Sequence, residues 1–313
     1  PGGIGAGSIN FYGDMDLGAV TRTITLSNTV SDSIYGVISG AGGIIKVGGV
    51  ALYLYGANTY AGDTTVSSGS LIVTNATGSG TGSGNVTVQA GAMLSVLGTI
   101  SGNVTVESQG LLRGKGGTVN GAVTVNPGGA LVPGNSLTTI GALNINNTLT
   151  LAADSATVMK IDRANGTNDT ISGITALTYG GTLTVTNLGG DFIGGEVYRL
   201  FTATTYNPGD FSATNLPSLG GGLGWAWDPA NGTLSVVGGG IATTPTNISY
   251  SVSGTNLTLT WPESHLGWYA QSNSVDVADA SSWFNIPGSQ SVTNLEIPIE
   301  PTTPKVFYRL RKP

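Results

Sequence analysis

Closely spaced acidic side chains are the residues of this sequence best suited to acid–base or metal chemistry. Three such pairs occur, at Asp14/Asp16, Asp162/Asp169 and Asp276/Asp279. Polysaccharide lyases and hydrolases need clustered carboxylates, often with calcium, and Arg or Lys beside them on one face. No convergent set of this kind stands out in the sequence. We therefore predict no catalytic residues and no enzyme, and we interpret Asp14 and Asp16 as a solvated lead-in.

The segment DRANGTND, residues 162–169, is the strongest candidate for a metal site. Asp162, Asn165, Asn168 and Asp169 offer oxygen ligands. Their spacing differs from that of the calcium loop D-x-[DN]-x-[DN]-G. We interpret the segment as a loop, with a metal site as the alternative, and we predict neither a metal nor a cofactor.

The single histidine, His265, lies in the turn PESHLG. It has no second histidine, cysteine or Ser–Asp arrangement near it that would make it a metal ligand or a catalytic base. We predict an exposed turn residue. The glycine runs LGGGLG and VGGGIA are not phosphate loops, since no helix and no Lys-Ser/Thr follows them.

One short pattern recurs along the chain and predicts how these residues are positioned. GNVTVQAGAMLSV begins at Gly84, and related stretches begin at Gly102, Gly121 and Gly141, a nearly constant period of about 20 residues. In each copy apolar residues alternate with polar ones on two short strands joined by a glycine corner. A single copy cannot bury its apolar edge, so this period predicts a solenoid. The Val/Thr composition favours a parallel β-helix over a leucine-rich repeat, with roughly ten or eleven coils between residues 36 and 237.

Composition excludes several classes of protein. Gly accounts for 51 of 313 residues without a Gly-X-Y period, which excludes collagen. The net charge of −6 with only 11 Lys and Arg argues against nucleic-acid binding. No apolar run is long enough for a transmembrane helix, and no cysteine is available for disulfides. The Thr-, Ser- and Asn-rich exterior and the start at Pro1 indicate a secreted protein whose export signal lies upstream or has been removed.

The composition changes along the chain and predicts an all-β protein, a parallel β-helix followed by a small antiparallel β-sandwich. The divisions are a Gly-rich lead-in at 1–35, the β-helix at 36–237, a linker at 238–247 and the sandwich module at 248–313. The lead-in is interpreted as a first coil, with a detachable strand as the alternative. Six short strands are predicted in the last module: Ile248–Val252, Leu257–Trp261, Trp268–Ser272, Trp283–Ile286, Val292–Ile297 and Val306–Leu310. The DVADASS turn is the helical candidate.

The stretch LYLYGANTYAGDTTVSSGSLIV, from Leu52, resembles the autotransporter-associated β-strand repeat. The residues that fit are Gly56, Ala57, Asn58, Thr59, Tyr60, Gly62, Thr64, Thr65, Val66, Gly69 and Leu71. Asp63 stands where that repeat has a glycine. The resemblance covers residues 36–237 and implies a β-helix exported to the bacterial cell surface or beyond, without implying any chemistry. The segments LTLTWPESHLGWYAQS and FYRL resemble fibronectin type III-like modules of secreted bacterial proteins. Autotransporters end in a membrane barrel, and we expect none within this chain because the part after the repeat is too short for one.

Three functions follow from these patterns. The first is a structural subunit that polymerises head-to-tail into a surface fibre. The alternatives are an adhesin or stalk that binds glycans or surface polymers and, least favoured, a polysaccharide lyase or hydrolase. Trp225 and Trp227 are interpreted as closing the end of the solenoid, with sugar stacking as the alternative. The candidates for subunit contacts are Phe11, Tyr12, Ile24, Leu26, Trp225, Trp227, Trp268 and Tyr269.

Overall fold

The computed structural model describes residues 7–27, 29–238, 244–302 and 305–312. The first six residues of the predicted lead-in and residues 239–243 of the predicted linker lie outside the described residues. The chain forms two compact units. Unit 1 comprises residues 1–191, 197–217 and 226–235, and unit 2 comprises residues 192–196, 218–225 and 236–313.

Unit 1 is a parallel β-solenoid, as the repeat predicts. Its first long sheet, called sheet 1, stacks one strand from each coil in chain order, with parallel register between neighbours. The two-residue strand Thr167–Asn168 pairs antiparallel at its edge. The parallel strands are Asn10–Phe11, Asp32–Ile34, Ala51–Leu54, Gly69–Val73, Ala92–Val96, Leu111–Gly114, Ala130–Pro133, Ala156–Asp162, Thr182–Asn187 and Ala213–Asn215.

The other strands of each coil form two further faces of the solenoid. The long strand Thr170–Thr178 belongs to both faces and joins them into one sheet, called sheet 2. A register shift between Ile171 and Ile174 bends that strand from one face to the other. The strands Met15–Asp16 and Ile38–Ser39 pair separately. The other strands of sheet 2 are Arg22–Thr25, Ile44–Val47, Thr64–Val66, Val86–Val88, Thr99–Ile100, Val104–Val106, Gly117–Val119, Val123–Val125, Ala142–Ile145, Leu149–Leu151 and Phe201–Tyr206.

The repeated Val-Thr-Val segments form an internal stack, which confirms that prediction. Val86 lies over Val104, and Val104 lies over Val123, in strict register. All six valines are fully buried: Val86, Val88, Val104, Val106, Val123 and Val125. The threonines between them face outward, because strand side chains alternate faces.

The prediction of ten or eleven coils between residues 36 and 237 is wrong, since eight of the ten parallel strands of sheet 1 lie in that span, which corresponds to about eight turns. The coils lengthen toward the C-terminal side. Leu131 pairs with Leu112 on the preceding coil and with Thr157 on the following one, and the second step is the longer of the two. The step from Leu183 to Thr214 is longer again. Loops inserted between strands change the period without changing the stacking, so dividing the span by the first period overestimates the count.

A three-stranded sheet follows, with the strands Val197–Arg199, Thr233–Gly238 and Leu223–Asp228, of which the first two pair antiparallel. Two more antiparallel sheets lie in unit 2, and they confirm the six predicted strands to within one or two residues at each end. Their strands are Ser249–Ser253, Asn256–Thr260 and Asn294–Pro298 in one sheet, and Phe284–Asn285, Tyr269–Asn273 and Phe307–Arg311 in the other.

Helical structure among the described residues is limited to four single 3₁₀ turns: Arg163–Asn165, Glu263–His265, Ala280–Ser282 and Ser289–Ser291. The third lies in the DVADASS segment that the sequence singled out. The division at residues 35, 237 and 247 remains a prediction, as does the likeness of the last module to fibronectin type III domains.

Candidate binding face

Tyrosines on the outer surface of sheet 1 stack from coil to coil, forming what is called the tyrosine ladder below. The ring centroids of Tyr12 and Tyr35 are 4.8 Å apart, and those of Tyr35 and Tyr55 are 4.5 Å apart, with planes inclined by 8° in both pairs. Tyr53 adds a fourth ring, 6.2 Å from Tyr55. Parallel strands lie about 4.8 Å apart, which is within the range of aromatic stacking.

The pleat of the strands directs these side chains outward. Tyr55 follows Leu54, which is fully buried, and Tyr35 follows the buried Ile34. The amide of Tyr55 donates to the carbonyl of Ile34 over 2.9 Å, which holds it one coil below Tyr35. The exposed fraction is 72% for Tyr12, 39% for Tyr35 and 38% for Tyr55. Ring edges and hydroxyls therefore face the solvent in a row along the solenoid axis.

The hydroxyl of Tyr55 is close to the side chains of Tyr35 and of Thr74 on the next coil. Burial raises the pKa of Tyr55, and the neighbouring phenols of Tyr35 and Tyr53 raise it further. The Tyr55 phenol therefore stays protonated at neutral pH and can donate as well as accept hydrogen bonds.

Beyond the ladder the same surface forms a groove of about 350 Å³. On neighbouring strands Tyr53 pairs with Ile72, and Ile72 pairs with Ser95. These residues form a column across successive coils that begins at a tyrosine of the ladder. The next residue in that column is Arg113. The groove is lined by Tyr53, Ile72, Thr74, Met93, Ser95, Leu97 and Asn135.

Of the predicted contact residues, Tyr12 lies at this face. Phe11 is also exposed, but it pairs in register with the buried Ile34, so its side chain lies on the opposite face of the first strand. Ile24 is half-buried on sheet 2, and Leu26 is buried in the core of unit 1. Trp268 is buried within unit 2, so the proposal of Leu26 and Trp268 as contact residues is corrected. Both side chains are used for internal packing.

The remaining predicted aromatic residues have different surroundings. Tyr269 is half-buried in unit 2, and Trp225 packs edge-on against Phe192 with 4.8 Å between ring centroids. In unit 1, the rings of Tyr179 and Phe211 lie 5.6 and 5.7 Å from that of Trp227. These contacts of Trp227 are those expected of a closing aromatic layer.

The polar side chains of residues 162–169 form hydrogen bonds within the protein. The carboxylate of Asp162 accepts hydrogen bonds from the backbone and side-chain nitrogens of Asn165. The side-chain amide of Asn168 donates to the carbonyl of Arg199 over 2.9 Å. Among the described residues, no group of three or more His, Asp or Glu side chains is arranged to hold a metal ion.

Asp169, interpreted from the sequence as an ordinary loop residue, is fully buried in an ion pair. Its carboxylate lies 2.6 Å from the Nζ of Lys160, which is also fully buried. The amides of Gly141 and Lys160 donate to the same carboxylate over 2.7 and 2.8 Å. Burial raises the pKa of Asp169, while the Lys160 ammonium and these donors lower it. The interpretation is therefore corrected: Asp169 links the segments around Gly141 and Lys160 inside the solenoid.

His265 is also buried, contrary to the prediction of an exposed turn. Its Nε2 contacts the carbonyl of Thr244 at 2.8 Å, which makes Nε2 the donor, and its Nδ1 lies 3.1 Å from the Ser264 hydroxyl. Its ring packs 4.9 Å from that of Trp268. Both nitrogens of His265 thus have structural partners within unit 2.

Sequence reasoning missed Tyr35, Tyr53, Tyr55 and the groove. The signal was present, because Tyr12, Tyr35 and Tyr55 recur at intervals close to the length of one coil. Recognising this recurrence requires knowing which residues pair between neighbouring strands, since the number of residues per coil varies. The groove could not be recognised at all, because Asn135 reaches it from a loop outside the repeat.

The chain is 34% identical over 247 residues to an autotransporter adhesin, BmaC, of Brucella suis, a match that covers 79% of the chain and 6% of that protein. It is 32% identical over 167 residues to an extracellular serine protease of Serratia marcescens, covering 53% of the chain and 13% of that protein. No family model matches the chain.

These similarities extend over much of the chain but not over whole proteins, since the chain spans 6% and 13% of the relatives' lengths. They agree with the autotransporter-like character of the repeat. They give no support to a self-assembling filament, so the main functional prediction is less well supported than its adhesin alternative. Among the described residues, no helix has the length and hydropathy of a membrane span.

Proposed function

We propose that this chain is part of an adhesin-like passenger, exported to the bacterial surface or beyond, that contacts its target through the outer face of sheet 1. The tyrosine ladder carries this proposal, because the solenoid holds several exposed aromatic rings in one fixed row. Tyrosine is enriched at recognition surfaces, since it offers a large contact area and a polar hydroxyl at little entropic cost. Similarity to an adhesin supports the same function.

Adhesion assays with purified protein test the proposal. The wild-type chain is coated on beads, and the retention of beads on epithelial cells and abiotic surfaces is measured. Tyr12→Ser/Tyr35→Ser/Tyr55→Ser is expected to lose most of that retention, because the exposed rings are removed while the inward-facing residues are unchanged. Tyr250→Ser is the matched control, since Tyr250 is a 76% exposed tyrosine of unit 2.

Failure of the wild-type protein to retain beads on any surface would contradict the proposal, and so would equal retention by the triple variant. Absence of enzymatic activity remains a prediction, since one relative is named as a protease. Release of reducing or unsaturated ends from polysaccharides, or cleavage of casein, by the purified chain would show that this prediction is wrong.

A further inference from the structure

Two cationic side chains stand at the far end of the groove from the tyrosine ladder. Arg113 is the register partner of Ser95 on the groove floor. The amide of Lys115 donates to the carbonyl of Val96 on the preceding coil. Lys115 therefore lies beside Leu97, one coil further along the solenoid. This local charge is unusual, because the chain has 11 Lys and Arg against 17 Asp and Glu.

Arg113 is held in place but is not neutralised. Its Nη1 donates to the carbonyl of Asn135 over 2.6 Å, and its buried Nε has no hydrogen-bond partner. Within the described ranges, neither Arg113 nor Lys115 forms an ion pair, and Lys115 is exposed. The N–H groups of this guanidinium that are neither buried nor bonded remain available to a carboxylate, with which arginine forms charge-assisted hydrogen bonds.

The rest of the groove is uncharged and mixed in polarity. Tyr53, Ile72, Met93 and Leu97 offer apolar surface, and hydroxyl or amide groups from Thr74, Ser95 and Asn135 lie between them. The columns run along the solenoid axis across successive coils, so the groove favours an elongated ligand. Rings with apolar faces and hydroxylated edges fit such a lining, and an acidic group fits the cationic end.

We propose that this groove binds a uronic-acid-containing polysaccharide, with a sugar carboxylate on Arg113 and Lys115 and the pyranose rings along Leu97 and Tyr53. The proposal rests on the adhesin-like function above and names the class of its ligand. Nucleic acid fits less well, since two cations neutralise few phosphates in a chain of net charge −6. A peptide with acidic side chains is the competing occupant that the test must separate.

Calorimetric titration with two forms of one sugar tests the ligand class. The probes are the hexamer of α-1,4-linked galacturonic acid and its methyl ester, which keeps rings and linkage but removes the charge. The acid form is expected to bind at least about tenfold more tightly than the ester, and to weaken as salt is added. A hexamer of glutamic acid tests charge without sugar rings and is expected to bind more weakly than the sugar acid.

Variants locate the site. Arg113→Gln is expected to weaken binding of the acid hexamer at least about tenfold, and Lys115→Gln by about threefold, because an exposed ammonium contributes less than a fixed guanidinium. Lys115→Gln also covers the case in which Arg113→Gln fails to fold. Arg199→Gln is the matched control, since Arg199 is exposed and likewise donates its Nη1 to a backbone carbonyl, that of Asn231. It should bind like the wild type.

Four results would overturn the proposal: no binding of the acid hexamer, equal binding of acid and ester, unchanged binding by both groove variants, or tighter binding of hexaglutamate than of the sugar. Failure of the ligand class is distinguishable from failure of the adhesin function. Loss of bead retention in the tyrosine variant without any hexamer binding rejects the uronic acid ligand alone. Absence of both rejects the two together.

Discussion

At the scale of single residues, two buried lysines govern the electrostatics of the solenoid. Lys46 lies on a strand of sheet 2 with no exposed surface, and its ammonium donates to the carbonyls of Gly48, Val50 and Ser68. Lys160 is buried against the carboxylate of Asp169 and the carbonyl of Pro133. Buried charge is tolerated only where polar groups surround it, and here backbone carbonyls between coils supply them.

The first prediction concerns the Lys160–Asp169 pair. Asp169→Asn should lower the free energy of unfolding by about 3 to 5 kcal/mol, because it leaves the ammonium of Lys160 buried without its counter-charge. Lys160→Met/Asp169→Asn should cost less than the single change. Urea denaturation measures both. Asp162→Asn, at the partly exposed carboxylate nearby, should cost about 1 kcal/mol or less. A double variant whose loss of stability equals the summed losses of Asp169→Asn and Lys160→Met, each measured alone, would show that the residues are not coupled.

The second prediction is a dependence of stability on pH that comes from Lys46. Burial lowers the pKa of Lys46 to about 8, from 10.5 in the unfolded chain. Between these values the unfolded chain binds more protons, so the free energy of unfolding should rise with pH. The rise should end near pH 10, because burial raises the pKa of Tyr60 and Tyr179, and their ionisation in the unfolded chain then favours unfolding.

Urea denaturation at pH 8, 9 and 10 measures this effect. The Lys46 contribution is at most about 1.4 kcal/mol per pH unit. Lys46→Met should remove it and leave a flatter profile. The same slope in wild type and variant would assign the pH dependence to other groups.

At the scale of elements, the first glycine of each repeat determines how closely coils approach. A Cβ on Gly102 would lie 1.9 Å from the carbonyl oxygen of Gly84, and one on Gly121 would lie 2.3 Å from that of Gly102. Where asparagine follows the glycine, it bonds the next coil: the side chain of Asn85 accepts from the amide of Asn103 over 3.2 Å. The repeated Gly-Asn pair thus forms a corner at which the backbones of neighbouring coils are in contact.

The third prediction tests this corner. Gly102→Ala should lower the free energy of unfolding by about 1 to 3 kcal/mol, because its methyl group meets backbone that cannot move aside. Gly49→Ala is the control, since Gly49 is exposed and a Cβ there meets nothing within 4 Å. Thermal unfolding of both variants measures the difference. Equal melting temperatures would show that the corner relaxes freely.

At the scale of the whole molecule, unit 2 has a core of its own. Leu259, Trp261 and Ala270 are buried together, and the guanidinium of Arg309 lies 4.1 Å from the ring of Trp283. The partly buried residues packed against this core come from both sheets of residues 248–311: Ile248, Leu257, Ile286, Leu295, Ile297, Tyr308 and Leu310. This arrangement is the basis for expecting an independent module.

The fourth prediction is that residues 244–313 fold without the solenoid. The excised segment should show near-ultraviolet circular dichroism from its fixed tryptophans and one cooperative unfolding transition. Its stability should not exceed about 5 kcal/mol, because a core of this size supplies no more. Trp261→Ala should abolish the transition. A segment without cooperative unfolding would show that its core depends on the rest of the chain.

The sequence by itself determined the fold class, the internal valine stack and the strands of the last module. Each follows from local patterns: Val86 and Val88 alternate with Thr87, the glycine corners recur, and turn residues separate the strands after residue 248. A repeat of such short period is enough to require stacking, since no single coil can bury its apolar edge.

Only the tertiary structure decided the number of coils, the burial of charge and the composition of the candidate binding face. Coil lengths vary along the chain, so which residues become neighbours depends on register that no single period predicts. That register stacks Tyr35 on Tyr55, and the fold brings Asp169 to Lys160 and Asn135 to Arg113. Contacts of this kind join residues from different coils or loops, and local sequence cannot specify them.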